Sequence, residues 1–136
     1  MHEVAEEAVP DIPADEPYSA GSFERWRQVE LEGPMTPPEA TFMAIGGDEV
    51  VGYAMLWIHH ARRGVASHGL TAVKRAWRGR GVAGALKAAE IRWAKDAGLT
   101  ELETENEARN VGMLAINRRL GYEPLPGWIY FTRPSE

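Results

Sequence analysis

The chain has 136 residues, of which 44% are hydrophobic and 26% are charged, with 14 glycines, nine prolines and no cysteine. Its size and composition are those of one globular domain, large enough to bury a core without help from disulfides or a metal. The lack of cysteine excludes a disulfide scaffold, a thiolate zinc site and a cysteine nucleophile.

The net charge of −5 is distributed unevenly. Residues 1–16 contain six acidic residues and no lysine or arginine, and residues 17–136 carry nearly balanced charges. Within that second part, residues 62–80 contain six basic residues and no acid: Arg62, Arg63, Lys74, Arg75, Arg78 and Arg80. The overall charge therefore conceals a local basic stretch that suits an anionic ligand.

The N-terminal residues 1–17 are rich in acids and proline, which predicts an extended, mobile arm before a single domain over residues 18–136. No apolar run approaches the length of a membrane span, and the acidic start is unlike a signal peptide. We therefore expect a cytosolic protein with no membrane partner.

Hydrophobic periodicity predicts an α/β (α+β) domain in which helices and strands alternate. Ser22 is placed to N-cap a first helix. The predicted elements are a helix over 23–32, strands over 40–45, 50–60 and 65–73, a helix over 82–98, a strand over 99–106, a helix over 110–120, and short strands over 122–127 and 128–133. Gly98 and Gly121 are placed to end the two long helices.

The segment from Arg78 to Gly84 lies between a predicted strand and a predicted helix. Glycines there allow close approach of the backbone to an anion, and the free N–H groups of the first helical turn point at it. A kinase-type phosphate loop is excluded because Ala85 and Leu86 follow Gly84, where that loop requires lysine and a hydroxyl residue.

A dinucleotide fingerprint is a second interpretation of the same loop. Gly79, Gly81 and Gly84 match its glycine spacing, and Glu103 or Glu105 lies about 20 residues further on, where a ribose-binding acid is expected. The surrounding sequence does not fit this fingerprint. Residues 74–78 separate the predicted strand from the first glycine, and too few residues follow Glu105 to complete a doubly wound sheet. A third interpretation is nucleic-acid binding by the basic stretch, which requires affinity that falls steeply with salt. We expect no nucleic-acid partner.

The loop also resembles the acyl-coenzyme A loop of GNAT-type N-acetyltransferases. Arg78, Gly81 and Ala83 fill the family pattern [QR]-x-x-G-x-[GA], and the resemblance extends over residues 41–123. It implies a mixed, mostly antiparallel central sheet flanked by helices, although the first strand of that fold is lacking in this sequence. It also implies acetyl-coenzyme A as cosubstrate and an amine as acceptor.

The resemblance assigns coenzyme A contacts residue by residue. The strand around Thr71 should separate from the next strand and open a slot for the pantetheine arm, with the Thr71 amide donating to the thioester carbonyl. The expected contacts are Thr71, Ala72, Val73, Arg78, Gly79, Arg80, Gly81, Val82, Ala83, Gly84, Asn106, Asn110 and Asn117. For Asn106 and Asn110, helix N-capping is the alternative role.

The sequence departs from the family at both acid–base positions. Asn117 replaces the tyrosine that protonates the departing thiolate in many members, and Ser67 replaces a glutamate base. His68 is a candidate base, although strand alternation places it on the face opposite Thr71. Glu103 and Glu105 are further catalytic candidates, placed to hold water or a cationic amine. No metal site is expected, since His59 and His60 lack a third ligand.

The sequence therefore predicts an N-acetyltransferase that moves acetyl directly to a primary amine of a small molecule or peptide, because no cysteine can carry an acyl intermediate. The alternative is a non-catalytic acyl-coenzyme A-binding or regulatory module, or half of a tandem acetyltransferase. With no strand before residues 40–45, that edge of the sheet predicts a homodimer or a partner domain.

Overall fold

The computed structural model describes residues 1–127. Its helices and strands are α1 (His2–Ala8), α2 (Phe23–Trp26, continued by a π-helical turn Arg27–Leu31), β1 (Thr41–Gly46), β2 (Glu49–Ile58), β3 (Val65–Val73), α3 (Val82–Asp96), β4 (Glu101–Glu103) and α4 (Val111–Arg119). Short 3-10 turns occur at Val9–Asp11, Pro38–Ala40 and Arg75–Trp77. No helix in this part of the chain is both long and apolar enough to cross a membrane.

The four strands form one sheet in the order β1-β2-β3-β4. The first three are antiparallel, and β4 joins β3 in parallel after the α3 crossover. This is the mixed, mostly antiparallel sheet flanked by helices that the sequence predicts. As also predicted, no strand precedes β1 within residues 1–127, and the outer edge of β1 has no strand partner there.

The sheet buries apolar side chains on both faces. Tyr53 and Met55 of β2 face α1 and α2. Ala54 and Leu56, the alternate residues of the same strand, pack with side chains of α3 on the other face. Because both faces are covered, β2 is a nearly continuous apolar strand at the centre of the domain.

The N-terminal segment differs from the predicted extended arm. Residues 2–8 form helix α1. Three apolar residues of this helix, Val4, Ala5 and Ala8, are buried, and so is Val9, which directly follows it. These residues recur at helical spacing, so they form one stripe that packs on the sheet while most of the acids point outward. The acidic composition concealed this short amphipathic pattern.

Local signals at helix ends are confirmed, and two strand predictions are not. The Ser22 hydroxyl accepts a hydrogen bond from the Arg25 amide at 3.3 Å, and Gly98 and Gly121 have left-handed φ angles of 76° and 87° after α3 and α4. Strand β4 has three residues rather than eight. Residues 122–127 are not a strand, in line with the two prolines in that segment. The strand predicted over 128–133 lies outside the described residues.

Candidate active site

The loop before α3 has the backbone geometry that the glycine pattern predicts. Gly79 and Gly81 have φ angles of +72° and +82°, and Gly81 is the N-cap of α3. A Cβ at either position would meet no atom within 4 Å, so the loop surface is open. The amides of Val82, Ala83 and Gly84 lie in the first turn and have no carbonyl partner inside the helix. The loop is therefore shaped to receive an anion.

The arginines of this loop already have partners. Arg78 donates from Nη1 to Asp11 at 2.7 Å and from Nε to the Val73 carbonyl at 3.0 Å. Arg75 donates from Nε and Nη2 to the same Asp11 carboxylate, both at 2.8 Å. These guanidinium groups hold the pKa of Asp11 well below its usual range. The Arg80 guanidinium lies 5.1 Å from the centroid of a Trp77 ring.

Strands β3 and β4 separate where the family resemblance implies a slot. They pair only from Val65 to Ser67 of β3, so the outer edge of β3 from His68 to Val73 has no strand partner within residues 1–127. Backbone groups on that edge are available to a ligand. A cavity of about 310 Å³ lies at this place, and six predicted coenzyme A residues line it: Thr71, Ala72, Val73, Arg78, Ala83 and Asn110.

The three predicted asparagines lie near one another around α4. Asn110 caps α4, with its Oδ1 accepting from the Met113 amide at 3.3 Å, and it also lines the cavity. Asn117 is buried and donates from Nδ2 to Asn106 Oδ1 at 2.7 Å. The Oδ1 atom of Asn117 is buried and has no hydrogen-bond partner among residues 1–127. Asn106 is therefore held by Asn117 and not used as a cap.

A β-bulge in β3 changes the predicted position of His68. Ala54 lies opposite Thr71, and Leu56 lies opposite His68. A step of two residues along β2 therefore corresponds to a step of three residues along β3. Because directly opposed residues share a face, His68 and Thr71 lie on the same face, which corrects the prediction from simple alternation. Ser67 lies opposite Trp57 on the other face.

Both ring nitrogens of His68 are engaged. Nδ1 lies 2.9 Å from Glu90 Oε2, and Nε2 lies 2.5 Å from the Tyr122 hydroxyl. The side chain is 1% exposed. An Nδ1–H tautomer satisfies both contacts by donating to Glu90 and accepting from Tyr122. His68 is thus neither a partly exposed strand residue nor a base with a free nitrogen.

Lys87 joins this buried group from α3, three residues before Glu90. The residue is 1% exposed, and its Nζ lies 5.6 Å from the centroid of the Tyr122 ring. Burial lowers the pKa of Lys87 to about 8 and raises that of Tyr122 to about 12. Four titratable side chains therefore share one low-dielectric region between β3, α3 and the segment after α4.

The two glutamate candidates do not line the cavity. Glu103 accepts two hydrogen bonds from Arg62, both at 2.8 Å, and this arginine lowers its pKa. Glu105 is exposed in the segment after β4. Of the two histidines considered for a metal, His59 Nε2 contacts Ser67 Oγ at 2.7 Å and His60 Nε2 contacts the Pro34 carbonyl at 2.8 Å.

The structure adds site residues that sequence reasoning missed. The 3-10 turn and the residues after α1 reach the cavity, so Asp11, Ile12 and Pro13 form one of its walls. Arg109 lines it from the other side and donates to Asp15 at 3.1 Å. The sequence feature that could have indicated these contacts is the uneven distribution of charge along the chain. Acidic residues before residue 17 form ion pairs with basic residues near the loop.

Comparisons with known proteins agree with this fold. The sequence model of the acetyltransferase (GNAT) family matches residues 1–122. The aminoglycoside N(6′)-acetyltransferase type 1 of Stenotrophomonas maltophilia is 34% identical over 104 residues, which cover 71% of this chain and 68% of that protein.

Solved structures show the same fold at lower identity. The aminoglycoside acetyltransferase AAC(6′)-Iy, in complex with the bisubstrate analogue CoA-S-monomethyl-acetylneamine, superposes with a TM-score of 0.71 at 22% identity, covering 98% of this chain and 89% of that one. The ribosomal-protein-S18-alanine N-acetyltransferase of Escherichia coli has a TM-score of 0.70 at 18% identity, with 92% and 70% covered. The chain therefore belongs to the GNAT family of acetyl-coenzyme A-dependent N-acetyltransferases.

Proposed function

We propose that this chain transfers the acetyl group of acetyl-coenzyme A directly to a primary amine of a small molecule, with an aminoglycoside or a chemically similar amine as the first candidate. The observation that carries the proposal is the cavity of about 310 Å³ at the separation of β3 and β4, which brings together Thr71–Val73, Arg78 and Asn110. The name of the Stenotrophomonas relative supports the class of acceptor.

The roles proposed for the cosubstrate site follow the geometry of the loop and the free strand edge. The amides from Gly79 to Gly84 would bind the pyrophosphate, with charge from Arg78 and Arg80. Backbone groups of Thr71, Ala72 and Val73 would pair with the pantetheine arm. The Thr71 amide would donate to the thioester carbonyl and stabilise its oxygen as the amine attacks. Asn106, Asn110 and Asn117 would provide further polar contacts.

Proton transfer to the departing sulfur needs a donor other than residue 117. An asparagine amide cannot act as a general acid at neutral pH. With His68 in the Nδ1–H tautomer, the hydroxyl hydrogen of the nearby Tyr122 is donated to His68 Nε2. We therefore propose that water protonates the coenzyme A thiolate, with no metal involved.

The predicted partner surface is the outer edge of β1, which no strand within residues 1–127 covers. Met43 and Ile45 of this strand are 55% and 62% exposed, and the strand carries no charged residue that would discourage pairing with another strand. A homodimer or partner domain at this edge stays a prediction, which sedimentation at high micromolar concentration would test. The cytosolic location also stays a prediction.

A turnover assay tests the proposed function. Purified protein is mixed with acetyl-coenzyme A and a panel of amines that includes aminoglycosides with a 6′-amine and a peptide with an N-terminal alanine, and free thiol is measured with a thiol-detecting dye. We expect thiol release that depends on the amine, with the acetylated product detected by mass spectrometry. Binding of coenzyme A without turnover on any amine would favour a non-catalytic binding module instead.

A further inference from the structure

Arg109 lines the cavity at the separation of β3 and β4, on a different wall from the cosubstrate loop. Residues 109–113, which include the first turn of α4, form one wall, whereas Arg78 belongs to the wall formed by β3 and the loop. Among the described residues that line the cavity, the charged ones are Asp11, Arg78 and Arg109. Two separate walls of the slot therefore each carry an arginine.

The backbone at Arg109 is held in place by the start of α4. Asn110 caps this helix through the Met113 amide at 3.3 Å, and the Val111 amide donates to the Arg109 carbonyl at 2.9 Å. The cap fixes where the helix begins, and the residue before the cap is thereby fixed at the edge of the cavity. The side chain of Arg109 is then the mobile part of this contact.

The two arginines of the cavity differ in their partners. Arg78 donates to the Asp11 carboxylate at 2.7 Å and to a backbone carbonyl at 3.0 Å, so two groups fix its guanidinium. Arg109 donates to Asp15 at 3.1 Å and lies 3.7 Å from Glu107. The Arg109 and Asp15 side chains are 55% and 95% exposed, and such exposed ion pairs contribute little to stability. Arg109 can therefore exchange Asp15 for another anion at little cost.

The surroundings of Arg109 favour an anion as that partner. Three arginines, Arg75, Arg78 and Arg109, lie around the single Asp11 carboxylate and the cavity, although the chain as a whole has a net charge of −5. The N-terminal ends of α3 and α4 both contribute residues to the cavity, and the helix macrodipole places partial positive charge at these ends. The cavity is thus a locally cationic region of an acidic protein.

We propose that Arg109 binds a phosphate group of coenzyme A and is a second cationic contact for the cosubstrate, on the α4 side of the slot. This inference rests on the proposed function. Coenzyme A carries a pyrophosphate and a 3′-phosphate, and either group presents several oxygens to a guanidinium. A phosphate accepts two parallel N–H groups from arginine, which makes it a stronger partner than the exposed carboxylate of Asp15. On binding, the Arg109 guanidinium leaves Asp15 for a phosphate oxygen.

The test compares the affinity for coenzyme A of Arg109→Gln and Arg118→Gln by isothermal titration calorimetry. Arg118 is the matched control, because it is an exposed arginine in the last turn of α4 that does not line the cavity. We expect Arg109→Gln to weaken binding by about 3- to 30-fold, between the effects of an exposed ion pair and of a hydrogen bond to a charged group. Arg118→Gln should keep the wild-type affinity.

Three further measurements define the contact. The loss in Arg109→Gln should shrink as NaCl rises from about 0.05 to 0.5 M, because salt screens an exposed charge pair. The melting temperature of the free Arg109→Gln protein should lie within about 3 °C of that of Arg118→Gln. Dephospho-coenzyme A, which lacks the 3′-phosphate, identifies the group: the loss disappears with this probe if Arg109 binds the 3′-phosphate and persists if it binds the pyrophosphate.

Two results would overturn the assignment. One is equal affinity for coenzyme A in Arg109→Gln and Arg118→Gln. The other is weaker binding that does not respond to NaCl or that accompanies a much lower melting temperature, which would show that Arg109 supports the fold and does not contact a phosphate. Absence of coenzyme A binding by the wild-type protein would instead overturn the proposed function, and this inference with it.

Discussion

Asp11 accepts a hydrogen bond from Arg78 at 2.7 Å, which ties the segment after α1 to the loop that opens α3. The same carboxylate pairs with Arg75. An anion arriving at this loop must therefore share or displace a carboxylate that belongs to the protein. The N-terminal acids thus bear on the affinity of the loop, although they lie more than 60 residues away in the sequence.

The first prediction follows from this competition. Asp11→Asn should raise the affinity for coenzyme A by about two- to tenfold, because it frees Arg75 and Arg78 for phosphate while removing a negative charge beside them. Isothermal titration calorimetry at constant ionic strength measures the effect.

Glu49→Gln is the matched control. Glu49 pairs with Lys74 at 2.6 Å, so this change also removes one exposed ion pair next to the loop without touching its arginines. Its affinity should stay at the wild-type value. Weaker binding by Asp11→Asn would mean that Asp11 orients Arg78 for the ligand and does not compete with it.

The second prediction concerns Gly81. A glutamate there brings a negative charge to the proposed pyrophosphate site, and at about 4 Å from another charge this costs about 1 to 4 kcal/mol. Gly81→Glu should therefore weaken coenzyme A binding by about fivefold to a thousandfold, as measured by calorimetry. The fold should persist with some backbone strain, since φ is +82° and no atom lies within 4 Å of the added Cβ.

Gly98→Glu separates the effect of the ligand site from the effect of the substitution itself. Gly98 follows the other end of α3, has a left-handed φ of +76°, and a Cβ there would meet no atom within 4 Å, as at Gly81. This variant should carry similar backbone strain and keep the wild-type affinity for coenzyme A. Equal affinities of Gly81→Glu and wild type would refute the assignment of the loop.

The sequence was informative where the signal is local. The Ser22 cap, the glycines that open and end α3, and the hairpin of β1 and β2 each depend on residues within a few positions, and their conformations are confirmed. These signals define the loop and the strand beside it, so six of the residues predicted from the family resemblance line one cavity.

What could not be predicted depends on tertiary packing. The extra residue of the β3 bulge moves Thr71 to the same face as His68, and nothing in the strand pattern marks it apart from Gly69. A Cβ on Gly69 would lie 2.9 Å from Met55 Cγ, so the close packing that requires this glycine is visible only in the folded structure. The partners of His68 come from α3 and from the segment after α4, 22 and 54 residues away.

The third prediction distinguishes a structural from a catalytic role of His68. Tyr122→Phe removes the hydroxyl that His68 Nε2 accepts from and leaves this buried nitrogen unpaired, which costs about 1 to 3 kcal/mol. We expect a lower melting temperature with little change in kcat. Tyr18→Phe is the control, because Tyr18 is 52% exposed and should tolerate the change. A large loss of kcat at an unchanged melting temperature would indicate instead that Tyr122 and His68 relay protons during turnover.

The last prediction uses the buried amine of Lys87. Its pKa falls from 10.5 to about 8 on folding, so between these values the unfolded chain binds a proton that the native protein does not. The free energy of unfolding should then rise with pH, by about 2 kcal/mol between pH 7.5 and 9.5 from this residue. Urea denaturation at several pH values measures this rise. The measurements stop at pH 9.5, because the raised pKa values of Tyr53 and Tyr122 make stability fall with pH above that range.

Two lysine variants provide the control. Lys87→Met should flatten the rise in the free energy of unfolding, whereas Lys95→Met, at an exposed position on the same helix, should leave it unchanged. The same rise in wild type and in Lys87→Met would show that Lys87 is not the titrating group.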